Sequence, residues 1–186
     1  MSWNSDDLEY LKSYRNIIDS DDIKVKQKIK ECLLTNKYII HVLNNKELDE
    51  DEPDEYFGVN ILPYYMINLT EHNVQNYICF TTHDEENRYD RSKKTQDVVF
   101  VILCDQKNIM DKETSLPRHD LLAALILDEF NWTNYFGPKI HCVSNEESVV
   151  DNDWACRTLT FAQVADNNIV RTTNKVTRIK DRDVVQ

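Results

Sequence analysis

The sequence predicts an α+β fold: a small mixed or antiparallel β-sheet with one main amphipathic helix packed on it, flanked by an N-terminal helical arm and an extended C-terminal tail. Two observations carry the prediction. Residues 75–161 read strand, strand, helix, strand, with long apolar runs broken by polar connections. The final segment alternates Trp154, Cys156, Thr158 and Thr160 with Ala155, Arg157, Leu159 and Phe161, a period of two that points Leu159 and Phe161 at a core. Composition agrees: 41% apolar residues are enough for a core, and 30% charged residues keep the chain in water. Its 186 residues are about one domain with room for arms. The organisation expected is an arm over 1–34, a domain over 35–170 and a basic extension over 171–186.

The elements follow in order. Residues 5–19 read as a helix capped by Asn4 or Ser5, with Leu8, Leu11, Tyr14 and Ile18 on one face. A second helix starts near Ser20, where Asp21 and Asp22 add negative charge at its N-terminus, and its apolar stripe is Val25, Ile29, Cys32 and Leu33. Periodicity alone leaves 37–44 open between strand and helix. Asn36 as a cap favours the helix. Residues 47–55 form an acidic loop. Residues 60–69 read as a strand that Pro63 confines to a sheet edge or a break, and edges are where neighbouring subunits attach. Strands are expected at 77–81 and 96–104, joined by a polar loop of mixed charge over 83–95. Ser115-Leu116-Pro117 announces a helix over 118–131, with Leu122, Leu125, Ile126 and Phe130 on its buried face. Gly137-Pro138 stops that segment. Strands at 139–144 and 154–162 close the unit around a polar turn at 146–153.

Composition limits the chemistry. Only two glycines occur, Gly58 and Gly137, too few for a phosphate-cradling loop of the common kinds. The net charge of −11 opposes general nucleic-acid binding, which draws on basic patches. Charge is uneven, however: Arg171, Lys175, Arg178, Lys180 and Arg182 outweigh Asp181 and Asp183, which favours a tail that docks on an acidic neighbour such as another copy of the chain. Five cysteines, none in a CxxC pair, four of them inside expected strands, fit a reducing, intracellular setting. The N-terminus has no basic region followed by an apolar run, so no signal peptide is expected. The apolar runs fall short of the about 20 residues that span a bilayer, so no membrane partner is expected.

Residue spacing limits the candidate chemistry further. The 47–55 loop clusters carboxylates as hard cations like, but it lacks the EF-hand spacing and its turn glycine, so a solvated loop is the better reading. The five histidines share no metal-ligand spacing with cysteine or carboxylate partners, and His141 and Cys142, adjacent in a strand, face opposite sides. No Cys/His pair stands out as a nucleophile and base. A metal-dependent nuclease is the enzymatic alternative, with Asp105 and Lys107 after the long strand and Asp54 upstream. No catalytic residue, cofactor or metal is expected otherwise.

The order of elements resembles the tail-terminator and head–tail connector proteins of tailed bacteriophages. The residues that carry the resemblance are the Pro-interrupted Ile61-Leu62-Pro63-Tyr64, the helix opening Arg118-His119-Asp120-Leu121-Leu122 and running on to Phe136-Gly137, and the last strand Arg157-Thr158-Leu159-Thr160-Phe161. It covers roughly residues 35–170. It implies a structural virion protein of the neck: a homo-oligomeric ring, hexameric in the family, that ends the tail tube and joins it to the head connector on the portal side. DNA would pass through the lumen without specific binding, and assembly would take place in the host bacterial cytoplasm. The helical arm and the basic extension depart from minimal members and leave open whether the position is terminator, stopper or completion protein. The residues expected at interfaces or the lumen are Asp51, Glu52, Asp54 and Glu55 in the acidic loop, Arg88, Arg91, Lys93 and Lys94 in the polar loop, and Arg171, Lys175, Arg178 and Lys180 in the tail. A monomeric adaptor whose acidic loop binds a host protein is a third reading.

Overall fold

The computed structural model describes residues 5–13, 21–65, 76–150 and 153–167. Four helices and five strands follow in order: α1 (Ser5–Ser13), α2 (Asp21–Thr35), α3 (Lys37–Leu43), β1 (Ile61–Leu62), β2 (Asn76–Glu86), β3 (Lys93–Asp105), α4 (Arg118–Phe130), β4 (His141–Val150) and β5 (Trp154–Asp166). The sheet runs β1-β2-β3-β5-β4. β1 is parallel to β2, and every other pairing is antiparallel. β3 and β4 are both antiparallel to β5 and therefore run in the same direction, which is why the long crossover through α4 is needed between them. The α+β expectation holds.

Asn36 settles the 37–44 ambiguity. Its side chain accepts hydrogen bonds from the Tyr38 and Ile39 amides, starting α3, and Asn44 ends it in the left-handed region at φ 49°. The stripe read in α2 is largely buried, with Ile29 and Leu33 fully covered. α4 starts directly after Pro117 and buries Leu122, Ala123, Ile126 and Phe130. With α2 it covers one face of the sheet, where the core takes in alternate residues of three strands: Ile78 and Phe80 of β2, Val98, Phe100 and Ile102 of β3, and Leu159 and Phe161 of β5. Phe100 is the centre, with ring centroids 5.3 Å from Phe130, 5.7 Å from Phe161 and 6.3 Å from Phe80. Burying each such ring contributes about 1.5–3 kcal/mol. A smaller apolar cluster lies on the other face, built from Leu62, Tyr77, Cys79, Leu103 and Cys156.

Several boundaries differ from the sequence reading. The 83–95 loop shrinks to six residues, 87–92, because β2 and β3 continue as polar strands in register from Asn76↔Cys104 to Glu86↔Lys94. The polar turn at 146–153 is mostly strand, with β4 paired out to Val150↔Trp154. The 60–69 strand is two residues long and ends at Pro63, on the sheet edge where a proline belongs. α1 exposes Leu8 and Leu11. Tyr14, Ile18, Ser20, residues 66–69 and the whole 171–186 extension lie outside the described residues.

Candidate assembly surfaces

The acidic segment is fixed at its base and open at its tip. Tyr56, in the short 3-10 helix Pro53–Tyr56, is fully buried. Beneath it three asparagines form a clamp. Asn45 Nδ2 donates to Asn60 Oδ1 (2.8 Å), Asn60 Nδ2 donates to the Asn76 carbonyl (2.9 Å), and Asn76 Nδ2 donates to the Leu43 carbonyl (2.8 Å). Buried amides of this kind must find partners, and here they tie α3 and the acidic segment to the start of β2. Asp51, Glu52, Asp54 and Glu55 all remain exposed. His41 Nδ1 lies 3.1 Å from the Glu50 carboxylate, and Nε2 lies 3.8 Å from Glu113. The hydrogen bond and charge of Glu50 raise the His41 pKa.

The hairpin tip lies at the opposite end. Along β2, Asn76 to Glu86 spans about 33 Å at roughly 3.3 Å per residue. Asn87 Oδ1 accepts from the Tyr89 amide, and Asp90 Oδ1 accepts from the Ser92 amide and hydroxyl, so the tip is a pair of side-chain-closed turns. Those Ser92 bonds hold the Asp90 carboxyl below its ordinary pKa. Arg88, Tyr89 and Arg91 are exposed, Tyr89 completely. Lys93 is half-buried and meets Asp166 at 2.5 Å. Lys94 is not a surface residue: it is 5% exposed and paired with Asp84 on the helix-facing side of the sheet. The expectation for Lys94 fails because strand pairing continues through it.

The chain leaves β5 beside this tip. The Asn167 amide donates to the Ser92 carbonyl (2.8 Å) and its side chain to the Arg91 carbonyl (3.1 Å). Arg171, Lys175, Arg178 and Lys180 lie beyond, outside the described residues. Among the described residues, the acidic candidates and the tip cations Arg88, Arg91 and Lys93 therefore belong to different ends of one sheet and are not brought together into a single site.

Sequence reasoning missed a polar cluster at the start of α4. Arg157 Nη1 meets Asp120 Oδ1 at 2.5 Å, and Arg157 Nε donates to Asn145 Oδ1 at 2.9 Å. His119, 2% exposed, places Nε2 3.3 Å from Glu147 Oε1 and 3.6 Å from Asp120 Oδ1. The cluster joins α4 to β5 and β4 beside a shallow recess of about 260 Å³ lined by Asp120, Ala123, Ala124, Leu127, Asn145 and Arg157. Its only sequence signal was Arg157 among residues facing α4. The nearby Cys104 thiol is buried, and that burial raises its pKa. A second buried pair, Asp111–Arg118 at 2.9 Å, fixes the loop before α4, while Arg118 Nη1 also donates to the Val42 carbonyl. A groove of about 400 Å³ runs between α2 and the 54–63 segment, with Asp54 on its wall. Asp105 turns its carboxylate onto the Lys107 amide (2.8 Å), a local cap. Among the described residues no three His, Cys, Asp or Glu side chains are grouped to hold a metal ion.

A family model described as YomW matches residues 27–163, from within α2 almost to the end of β5. The chain belongs to the YomW family. YomW is a Bacillus phage-type protein, so the phage association implied by the resemblance stands at the level of the family. No curated protein matches the chain. The YomW match contains the acidic segment, the hairpin tip and the α4 cluster, and stops before the basic extension.

Proposed function

We propose that this chain is a structural virion protein of the phage neck that works by assembly. Copies form a homo-oligomeric ring that ends the tail tube and joins it to the head connector, and DNA passes through its lumen. The observation that carries the reading is the placement of two exposed charged segments, 51–55 and 88–91, at opposite ends of one sheet, the first anchored to the start of β2 by the three asparagines. A ring subunit in a stack needs distinct surfaces toward the rings above and below it, and a heterologous contact at its side. Membership of a phage-type family supports the setting. An acidic lumen would let DNA slide, since it offers no cations for counterion-release binding. Negative-stain imaging of the purified full chain tests this directly. Closed rings with a central hole are expected. Monodisperse single subunits at micromolar concentration, or magnesium-dependent DNA cleavage lost in Asp105→Ala, would overturn it.

A further inference from the structure

The outer edge of β4 is the longest backbone surface that the described residues leave uncovered. β4 is 10 residues long, closes the sheet on one side, and has no second strand partner among the described residues. The other side of the sheet ends in β1, two residues long, which leaves the shorter stretch 80–86 of β2 without a second strand partner among the described residues. Along β4, Val143 and Val149 are 54% and 60% exposed. Such an edge is a template for pairing with another strand, and proteins normally blunt it. β4 carries two of the usual devices, a register shift between Cys142 and Ser144 and the adjacent exposed glutamates Glu146 and Glu147.

The sign of those charges selects the partner. Two β4 strands pairing with each other about their middle would bring the two copies of Glu146 close together, while Glu147, on the opposite face, is held by His119 and Arg157 of its own chain. Like charges on neighbouring strands are destabilising, so β4 rejects itself. A strand carrying cations gains from the same arrangement. Residues 169–180 have that chemistry. Seven of the twelve are β-branched (Ile169, Val170, Thr172, Thr173, Val176, Thr177 and Ile179), none is Gly, Pro, Asp or Glu, and Arg171, Lys175, Arg178 and Lys180 are distributed along them. Their length covers β4. The remainder of the chain is strongly acidic: residues 171–186 hold five cations and two acids, a net +3, so residues 1–170 carry −14 of the total −11.

We propose that residues 169–180 of one copy add as a strand to the outer edge of β4 in the next copy. The exit geometry favours a neighbour over the chain's own edge. Asn167, the last residue described, is bonded to Ser92 and Arg91 on the β3 side of β5, the side opposite to β4. The contact joins two different surfaces, so it is heterologous and propagates around a ring. The inference rests on the assembly reading and supplies its subunit contact.

The test is a charge exchange in the full chain, read by light scattering after size-exclusion chromatography. Glu146→Lys alters an exposed side chain whose one hydrogen bond comes from Ser144 Oγ at 2.8 Å. It should raise the concentration needed for assembly at least about tenfold, the scale of 1.4 kcal/mol. Arg171→Glu with Lys175→Glu and Arg178→Glu should do the same. Combining all four substitutions should restore assembly, which a merely misfolded variant would not do. Raising salt should weaken the wild-type oligomer, because screening acts on the tail–edge attraction. A synthetic peptide of residues 168–186 in excess should reduce its mass. An oligomer indifferent to both sets of charge changes overturns the contact and leaves the ring reading standing. A wild-type monomer overturns both. A wild-type monomer whose β4 amides lose hydrogen-exchange protection when the tail charges are reversed would place the tail on its own edge.

Discussion

Replacing Arg118 by alanine probes the packing of α4 against the loop that leads into it. The guanidinium and the Asp111 carboxylate are 2.9 Å apart, with side chains 7% and 8% exposed. Removing one partner of a buried pair costs about 3–5 kcal/mol, most of it from the charge left behind. Asp111 Oδ2 keeps its bonds from the Thr114 amide (2.8 Å) and hydroxyl (2.7 Å), which places the expected loss at the low end, about 3 kcal/mol. For a chain of this size that is a fall in Tm of about 6–12 °C. Urea unfolding followed by tryptophan fluorescence and circular dichroism measures it. The pH dependence gives an independent check. The Thr114 hydrogen bonds and the Arg118 charge hold the Asp111 pKa below its ordinary value. A lowered carboxyl pKa contributes stability above the unfolded value of about 3.9, and that stability is lost as pH falls through the folded value. The Arg118→Ala penalty should therefore shrink below about pH 4, where a protonated Asp111 leaves no uncompensated charge. A loss under about 1 kcal/mol at neutral pH, or a penalty that does not change on acidification, would refute the argument.

Three further outcomes are expected. His41 should titrate above its ordinary value of about 6.5 in an NMR experiment, and Glu50→Gln should lower the midpoint; because the folded pKa is the raised one, the interaction stabilises at low pH and is lost as pH rises through that midpoint. Phe100→Ala, at the meeting point of three other rings, should cost about 3–5 kcal/mol in urea unfolding. For the buried pair Gln96–Gln163, bonded at 2.7 Å, Gln96→Leu alone should cost about 1–3 kcal/mol while the double Leu variant should match or exceed wild type, a non-additivity that a double-mutant cycle measures.

The helical part of the fold was legible in the sequence because its signals are local. Pro117 and the spacing of Leu122, Ile126 and Phe130 placed α4, and Asn36 decided α3. The apolar halves of β2, β3 and β5 were equally clear. Their polar halves were not, since Thr82, His83, Asp84 and Glu85 read as loop until they are seen opposite Val98, Asp97, Gln96 and Thr95. The same blind spot hid most of β4, an edge strand with little apolar alternation, and gave Lys94 a surface role it does not have. The acidic segment was found from charge alone. The asparagine clamp beneath it was not, because two of its three acceptors are backbone carbonyls, which no side-chain pattern reports.

The polar half of the sheet raises its own physical question, since Gln96 and Gln163 are 1% and 3% exposed and yet keep orphaned atoms, Gln96 Nε2 and Gln163 Oε1. Leucines would fill the same space without that cost, so maximal stability is not what these residues provide. Their positions show what they do provide. Asp84 lies opposite Gln96, and Gln96 opposite Gln163, so the three form a row across β2, β3 and β5 on the helix-facing side. Lys94, one step along, closes onto Asp84. Beyond Phe80 and Val98 the apolar pattern that fixes register has run out, and a slip of one residue would carry every side chain to the opposite face. In a slipped pairing Lys94 would lose Asp84 and Gln96 would lose Gln163, leaving further buried polar groups without partners beyond the three orphaned atoms of the native row, Asp84 Oδ1, Gln96 Nε2 and Gln163 Oε1. The row thus holds β2, β3 and β5 in a single alignment out to the tip, where Asn167 joins the end of β5 to Ser92.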